Sequence, residues 1–431
     1  MATSVEPTAR LTAVAERYAA VRRRTDWLCE PLVAEDQVPQ SMNDCSPIKW
    51  HRAHTTWFFE TFVLRPHYRG YAPLVDRYRY LFNSYYNAVG RQFARPQRGL
   101  VTRPTVAEVS AYREHVDRHM EALLRGDAEA VTEPRADVIE LGLNHEEQHQ
   151  ELMVTDLKHL WSHNPLYPVY RADGQAGHES PPLPDRRIDR PPALAWTRFD
   201  EGIREIGHDG AGFAFDNEGP RHRVFLEAFE LAHRVVTAGE YLAFMEDGGY
   251  ERPDLWLADG WTTVQAEGWR APLYWRHEDE AWWQFTLSGF RRVDPDEPVT
   301  HVSHYEADAY ARWAEARLPT EAEWEVAAAN REVRGNFLDD GRFHPAPAQP
   351  GRDLAQLFGD VWEWTRSAYA PYPGFRPEQG ALGEYNAKFM SGQMVLRGGS
   401  CATPVGHVRA TYRNFFPPSA RFQFSGIRLA R

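Results

Sequence analysis

The chain has 431 residues, 42% of them hydrophobic and 26% charged, with a formal net charge of −12 at pH 7. That balance describes a globular protein with material for two cores, excludes a wholly disordered chain, and, with no long basic run, argues against a nucleic-acid partner. No stretch approaches about 18 consecutive apolar residues and the first thirty residues lack a signal-peptide core, so neither a membrane span nor secretion is expected. Cys29, Cys45 and Cys401 are too few and too far apart for a disulfide framework and suit a reducing cytoplasm.

Residues 1–165 read as helical. "ARLTAVAERYAAVRRRTDWLCEPL" carries Leu11, Val14, Ala15, Tyr18 and Val21 at helical spacing. "SPIKWHRAHTTWFFETFVL" follows Asp44 and Ser46, two candidate caps, with Pro47 suited to a first turn and Pro66 limiting the far end. A third helix starts at a threonine cap in "TVAEVSAYREHVDRHMEALLRG" and stops at Gly126. The fourth, "ADVIELGLNHEEQHQELMVTDLKHLW", ends near Asn164. Four such runs predict a helix bundle, whose facing helices commonly build metal sites in the core. Residues 166–192 have the Pro, Gly and charge content of a linker. Residues 193–431 then predict an irregular α+β domain, with strand-like runs such as "HRVFLEAFEL". Its clearest helical stretches are "VVTAGEYLAFMEDGGY" and "VSHYEADAYARWAEARLPTEAEWEVAAA".

The fourth helix contains His145-Glu146-x-x-His149, the H-E-x-x-H pattern of zinc peptidases. Residues four apart share a helix face, so both imidazoles can address one ion. Val138, Leu141 and Leu152 make that face apolar. The extended peptidase motif fails: Leu152 stands where it needs glycine and Thr155 where it needs histidine. No glutamate-bearing helix follows to supply a third ligand. A better one lies upstream in "KWHRAHTTWFFETF". There His54 shares a face with Trp50, Trp57, Phe58 and Phe62. Three neutral imidazoles suit Fe(II) or Zn(II) with open positions, and the ligand set alone does not separate the two.

"SPIKWHRAHTTWFFETF", "FNSYYNAVG" and "NHEEQHQEL" resemble the DinB-like domain of the ergothioneine-biosynthesis sulfoxide synthases (EgtB family). "FAFDNEGPRH", "RLPTEAEWEVAAA", "GDVWEWTRSAYAPYPGF", "VLRGGSCATP" and "TYRNFFPPSARFQFSGIRLA" resemble that family's formylglycine-generating-enzyme-like (sulfatase-modifying) domain, which has a C-type-lectin-like fold. The resemblance implies a DinB-like four-helix bundle carrying the metal, followed by that lectin-like domain. It implies a mononuclear non-haem Fe(II) held by His54, His145 and His149, with His51 as a neighbour and Glu146 a solvent-facing or structural residue rather than a base. The family reaction uses O2 to join a thiol sulfur to C2 of the imidazole of hercynine (Nα-trimethylhistidine), with oxidation of the sulfur to a sulfoxide.

Other positions follow from the same resemblance. Tyr85 and Tyr86 match a tyrosine pair placed to donate a proton or hydrogen bond at the iron. Gln148 would hydrogen-bond the hercynine imidazole. Asn414 would lie near the hercynine carboxylate and trimethylammonium, with Phe415 and Phe416 offering aromatic faces to the cation. Arg95 and Arg98 would bind the carboxylate of the thiol substrate. In the γ-glutamylcysteine-using branch an aspartate stands where this chain has Phe416, which with the tyrosine pair points to free cysteine. A selenium donor remains an alternative. A formylglycine-generating oxidase would need a cysteine pair in the second domain, which has only Cys401. A non-catalytic lectin-like binding protein is the remaining rival.

Overall fold

The computed structural model describes residues 7–126, 136–171, 193–349 and 354–431. Residues 172–192, most of the expected linker, lie outside the described residues. The chain forms two compact units: Met1–Leu160 with Gln379–Tyr385, and Trp161–Glu378 with Asn386–Arg431.

The first unit is helical. Its long helices are α1 (Pro7–Cys29), α2 (Ile48–Phe59), α3 (Val106–Arg125) and α4 (Ala136–Ser162). Helix α3 has the predicted limits. The Thr105 side chain accepts from the Glu108 N–H, the Glu108 carboxylate accepts from the Thr105 N–H, and Gly126 ends the helix at φ 76°. Helix α2 departs from expectation at both ends. Neither Asp44 nor Ser46 caps it; the N-cap position is Pro47, which has no side-chain bond to give. The Ser46 backbone N–H instead donates to Asp156 Oδ2 (2.7 Å) and its hydroxyl accepts from Arg98 Nη1 (2.9 Å). Pro66 does not stop the helix either. The chain widens into a π turn over Glu60–Leu64 and continues through Arg65–His67. The wider turn accommodates a proline ring that a regular helix would drive into the carbonyl four residues back.

Aromatic side chains fill this unit. Tyr18 of α1 meets Phe59 of α2 edge-on at 5.1 Å, and Trp57, Phe58 and Phe59 are fully buried. Each such side chain stabilises the fold by about 1.5–3 kcal/mol. Gly142 permits the close approach of α2 and α4: a Cβ there would lie 2.6 Å from the Phe59 ring and 2.9 Å from that of Phe58.

The second unit carries four small sheets: β1 (Trp196–Phe199) with β4 (Phe229–Ala232), β2 (Gly202–Ile206) with β3 (His222–Leu226), β5–β6–β7 (Trp275–Glu278, Ala281–Thr286, Gly289–Arg292), and β10–β9–β8–β11. In the last, β8 (Trp362–Ala368), β9 (Met394–Arg397) and β10 (Asn414–Phe416) run antiparallel, and β11 (Ser425–Gly426) lies parallel to β8. The run "HRVFLEAFEL" is therefore two strands in two sheets. Helices α5 (Ala238–Glu246), α6 (Ala258–Glu267), α7 (His304–Trp313) and α8 (Glu321–Ala328) surround the strands. The long helical stretch read at 302–329 ends at Trp313, with Glu315 at φ 53° just beyond, and a new capping box of Thr320 with Glu323 begins α8. The core gathers around Trp324, Leu231, Phe229 and Phe358. Glu363 is buried against Arg428 and the Trp324 indole N–H, so its charge is matched where no water reaches it. The fold class is thus the one the sequence implied. All three cysteines are buried and in no disulfide, and among the described residues no helix is long and apolar enough to cross a membrane.

Candidate metal centre

Helices α2 and α4 bring His54, His145 and His149 together inside the first unit. One nitrogen from each lies within 4.8 Å of the others, the scale on which an ion with metal–nitrogen bonds of about 2.1 Å can be held. All three rings are buried. Burial pushes the pKa of each below the ordinary histidine value, to about 3 for His145, and the neighbouring imidazoles depress His54 and His149 further. The rings are therefore neutral at pH 7, and a neutral imidazole has a lone pair to give.

Hydrogen bonding selects which nitrogen gives it. His54 Nδ1–H donates to the Phe82 carbonyl (2.6 Å), and His54 Nε2 is buried with no partner among the described residues. Among the described residues neither ring nitrogen of His145 has a partner. Buried polar atoms are normally satisfied, and each orphan costs about 1–3 kcal/mol. A divalent cation at the centre of the triad satisfies them, so the donor set fits a metal. Packing fixes the rings. His54 is stacked between Trp50 (4.6 Å) and Trp57 (5.5 Å), and His145 meets Phe58 at 4.9 Å.

Glu146 is not solvent-facing; of the two expectations only the structural one survives. It is fully buried on the face of α4 that meets α1 and α3. It accepts from Arg22 Nη1 and Arg113 Nη2 (both 2.8 Å) and from the Thr25 hydroxyl (2.6 Å). A carboxylate clamped by two guanidinium groups and a hydroxyl is no base for activating water.

The other anticipated residues of this unit sit as follows. Gln148 is half-buried on α4, three residues after His145. Tyr86 is fully buried, stacked on Tyr85 at 4.7 Å and packed against Trp57 and Phe62. Burial, then the nearby Tyr85 and Tyr385 phenols, hold its hydroxyl well above the ordinary tyrosine pKa, so it stays protonated. Arg98 is buried with its guanidinium 3.4 Å from the centre of the Trp50 ring, donating to Ser46 and Ser84. Burial and then Arg95 lower its pKa to about 9, which leaves it cationic at pH 7, and among the described residues it pairs with no carboxylate. Arg95 is exposed and donates to the Asp44 carbonyl.

Sequence reasoning missed Tyr385. It belongs to Gln379–Tyr385, the stretch from the far half of the chain that completes the helical unit. Its hydroxyl donates to Gln148 Oε1, and its ring meets those of His145 (5.6 Å) and Tyr85 (6.4 Å). Glu384 anchors the stretch: its carboxylate accepts from the backbone N–H groups of Asn87 (3.0 Å) and Ala88 (2.8 Å), in the loop that carries the tyrosine pair. Asn414, Phe415 and Phe416 form β10 of the second unit. All three are half-buried; Phe415 stacks on Tyr369 at 4.0 Å and Phe416 meets Phe422.

The DinB superfamily model matches residues 17–153, and the sulfatase-modifying factor enzyme 1-like domain model matches 196–351 and 343–431. A hercynine oxygenase of Mycolicibacterium smegmatis is 36% identical over 325 residues, 67% of this chain and 70% of that protein. The chain belongs to the hercynine oxygenase family. A second hercynine oxygenase, from Mycolicibacterium thermoresistibile, is 36% identical over 331 residues, 68% of this chain and 69% of its own. The formylglycine-generating enzyme of Streptomyces coelicolor is 31% identical over 215 residues, 38% of this chain and 65% of that protein. In this hercynine oxygenase family member the three histidines fall within the DinB match, while Asn414, Phe415 and Phe416 fall within the sulfatase-modifying match.

Proposed function

We propose that this protein is an Fe(II)- and O2-dependent sulfoxide synthase that joins the sulfur of cysteine to C2 of the hercynine imidazole in the reducing cytoplasm. The observation that carries the reading is the buried triad of neutral imidazoles with orphaned nitrogens, in a chain 36% identical to a hercynine oxygenase. The reaction balances with one O2. The imidazole C2–H and the thiol S–H bonds break, a C–S bond forms, one oxygen goes to sulfur and the other leaves as water.

Iron(II) bound by His54, His145 and His149 would supply O2 activation and a place for both organic substrates. Holding both substrates side by side there would contribute a proximity effect of up to about 7–11 kcal/mol. The chain's own groups bind, orient and move protons. Gln148 presents its side-chain amide to the hercynine imidazole, steadied by the Tyr385 hydroxyl. Arg98 offers a buried cation that pairs with no carboxylate among the described residues, so a substrate carboxylate offsets its desolvation. Arg95 is the outer partner for the same carboxylate. Asn414, Phe415 and Phe416 are the proposed contacts for the amino-acid end of hercynine, the aromatic pair facing its trimethylammonium. Phe416, in place of an aspartate, removes a charged partner for a γ-glutamyl group and favours free cysteine.

Proton delivery falls to the tyrosines. Tyr385 is the best placed, because its hydroxyl already bonds Gln148 and its ring borders His145. Tyr385→Phe is expected to lower sulfoxide formation about 10²–10⁴-fold, the usual worth of a positioned proton donor, and to divert turnover toward simple thiol oxidation. Tyr86→Phe, in a closed aromatic wall, is expected to change it less than about tenfold, with Tyr85→Phe between the two. Product ratios by mass spectrometry check the order; equal sulfoxide yields from all three variants and the unaltered protein would remove the proton-donor role.

A further inference from the structure

His51 lies beside the metal triad and is not one of its ligands, yet it is buried in direct contact with one of them. Its Nδ1 sits 2.7 Å from His149 Nδ1, and its Nε2 sits 3.0 Å from Asp156 Oδ2. Asp156 Oδ2 also accepts from the Ser46 N–H at 2.7 Å. Ser46, His51, His149 and Asp156 are all buried. We infer that Asp156 and His51 are positioning residues that fix the tautomer and ring angle of His149, so that it presents Nε2 to the metal. This rests on the metal-site reading above and extends it from the three ligands to the groups that aim one of them.

The inference follows from proton counting. A carboxylate can only accept, so the short contact to Asp156 requires a proton on His51 Nε2. A neutral His51 then has its lone pair on Nδ1. Two imidazole nitrogens 2.7 Å apart hold one proton between them, so that proton belongs to His149 Nδ1. His149 is left with its lone pair on Nε2. Without the relay His149 can take either tautomer, and the one protonated at Nε2 would offer the wrong nitrogen. A metal-bound histidine commonly donates its second N–H to a carboxylate. Here the carboxylate acts through an intervening imidazole, and the pull of Asp156 on the His51 proton increases electron donation from His149.

Two of the three ligands are thus aimed by hydrogen bonds, each by a different means. His54 uses the Phe82 carbonyl and His149 uses the relay, while neither nitrogen of His145 has a hydrogen bond among the described residues. The geometry of α4 explains why the relay exists. Asp156 follows His149 by seven residues, two turns along the same face, so one helix carries both the ligand and the end of its support. Helix α2 carries His51 and His54 three residues apart, one reaching the relay and the other the metal.

The test uses the full chain, the unaltered protein beside His51→Leu, His51→Gln and Asp156→Asn, with Zn(II) and Fe(II) as probes. Metal affinity is measured by competition with a chelator. The tautomer of His149 is read from ¹⁵N–¹H NMR of the metal-free and the Zn(II)-loaded proteins. His51→Leu is expected to weaken metal binding about 10–100-fold, the usual cost of losing an outer partner, and to free the His149 ring from a single tautomer before loading. His51→Gln can accept from His149 Nδ1–H through its side-chain carbonyl and is expected to restore affinity to within about threefold of the unaltered protein. Asp156→Asn keeps the shape, loses the charge and falls between them, so the inference remains testable if His51→Leu folds poorly. Metal binding in His51→Leu as tight as in the unaltered protein, or a His149 that binds through Nδ1, would overturn the relay and leave the metal site standing. An unaltered protein that binds neither ion would overturn the metal-site reading, and the relay with it.

Discussion

His149→Ala is expected to abolish metal loading and, with it, turnover. The substitution removes one of three ligands and the group through which His51 and Asp156 act on the site. Losing an outer partner of a ligand costs about 10–100-fold in affinity, so losing the ligand itself should cost at least about 100-fold. The fold should survive. His149 sits beside a cluster of polar groups, and its strongly lowered pKa means that the ring is buried in its neutral form, so alanine leaves no buried charge without a counter-ion. Elemental analysis of the purified variant, alongside its circular dichroism, separates lost metal from lost fold. Full iron content with full activity would sink the three-histidine site.

Glu146→Gln should behave in the opposite way, losing stability rather than chemistry. Burial alone would raise the carboxyl pKa of Glu146. Arg113 and Arg22, with the Thr25 hydroxyl, outweigh it and hold the group down at about 2. Removing the charge takes one anion from two buried guanidinium groups, leaving Arg22 paired with Asp117 (2.8 Å) and Arg113 with Asp26 (3.3 Å), and costs about 3 kcal/mol, the low end for breaking a buried pair. For a unit of this size that lowers the melting temperature by roughly 10 °C. The pH dependence follows from the same shift. A carboxyl whose folded pKa lies below its unfolded value of about 4.5 contributes its full stability above that pH and loses it as the pH falls toward about 2. The glutamine variant should lack that portion of the acid transition. Melting curves of both proteins between pH 3 and 7 check it. A peptidase would give the reverse pattern, a stable glutamine variant with hydrolysis gone, because there the glutamate is the base.

The clustering of three histidines was legible because it obeys local rules. His145 and His149 are four apart on one helix, and His54 lies on an apolar stripe of another. Helix α3 was legible for the same reason, since Thr105, Glu108 and Gly126 write both its ends. What escaped was whatever depended on distant parts of the chain. Ser46 looks like a cap, but its N–H and hydroxyl are taken by Asp156 and Arg98, 110 and 52 residues away. Pro66 looks like a stop because the π turn that accommodates it has no sequence signal of its own. Tyr385 follows His145 by 240 residues, in a stretch, "EQGALGEYNAKF", with neither a motif nor a clear period. Nothing local joins it to the bundle. Asp156 is the partial exception: its spacing of seven from His149 put it on the ligand face, and a search for carboxylates behind each histidine would have found it.

The central claim is the reaction itself. The most direct measurement is aerobic incubation of the Fe(II)-loaded protein with hercynine and an equal mixture of cysteine and γ-glutamylcysteine, read by mass spectrometry. The account predicts a hercynylcysteine sulfoxide, formed with one atom of ¹⁸O when the gas is ¹⁸O2, and no γ-glutamyl conjugate. A γ-glutamyl conjugate as the main product would contradict the assignment of the donor from Phe416, and iron-loaded protein that forms neither sulfoxide would contradict the proposed reaction.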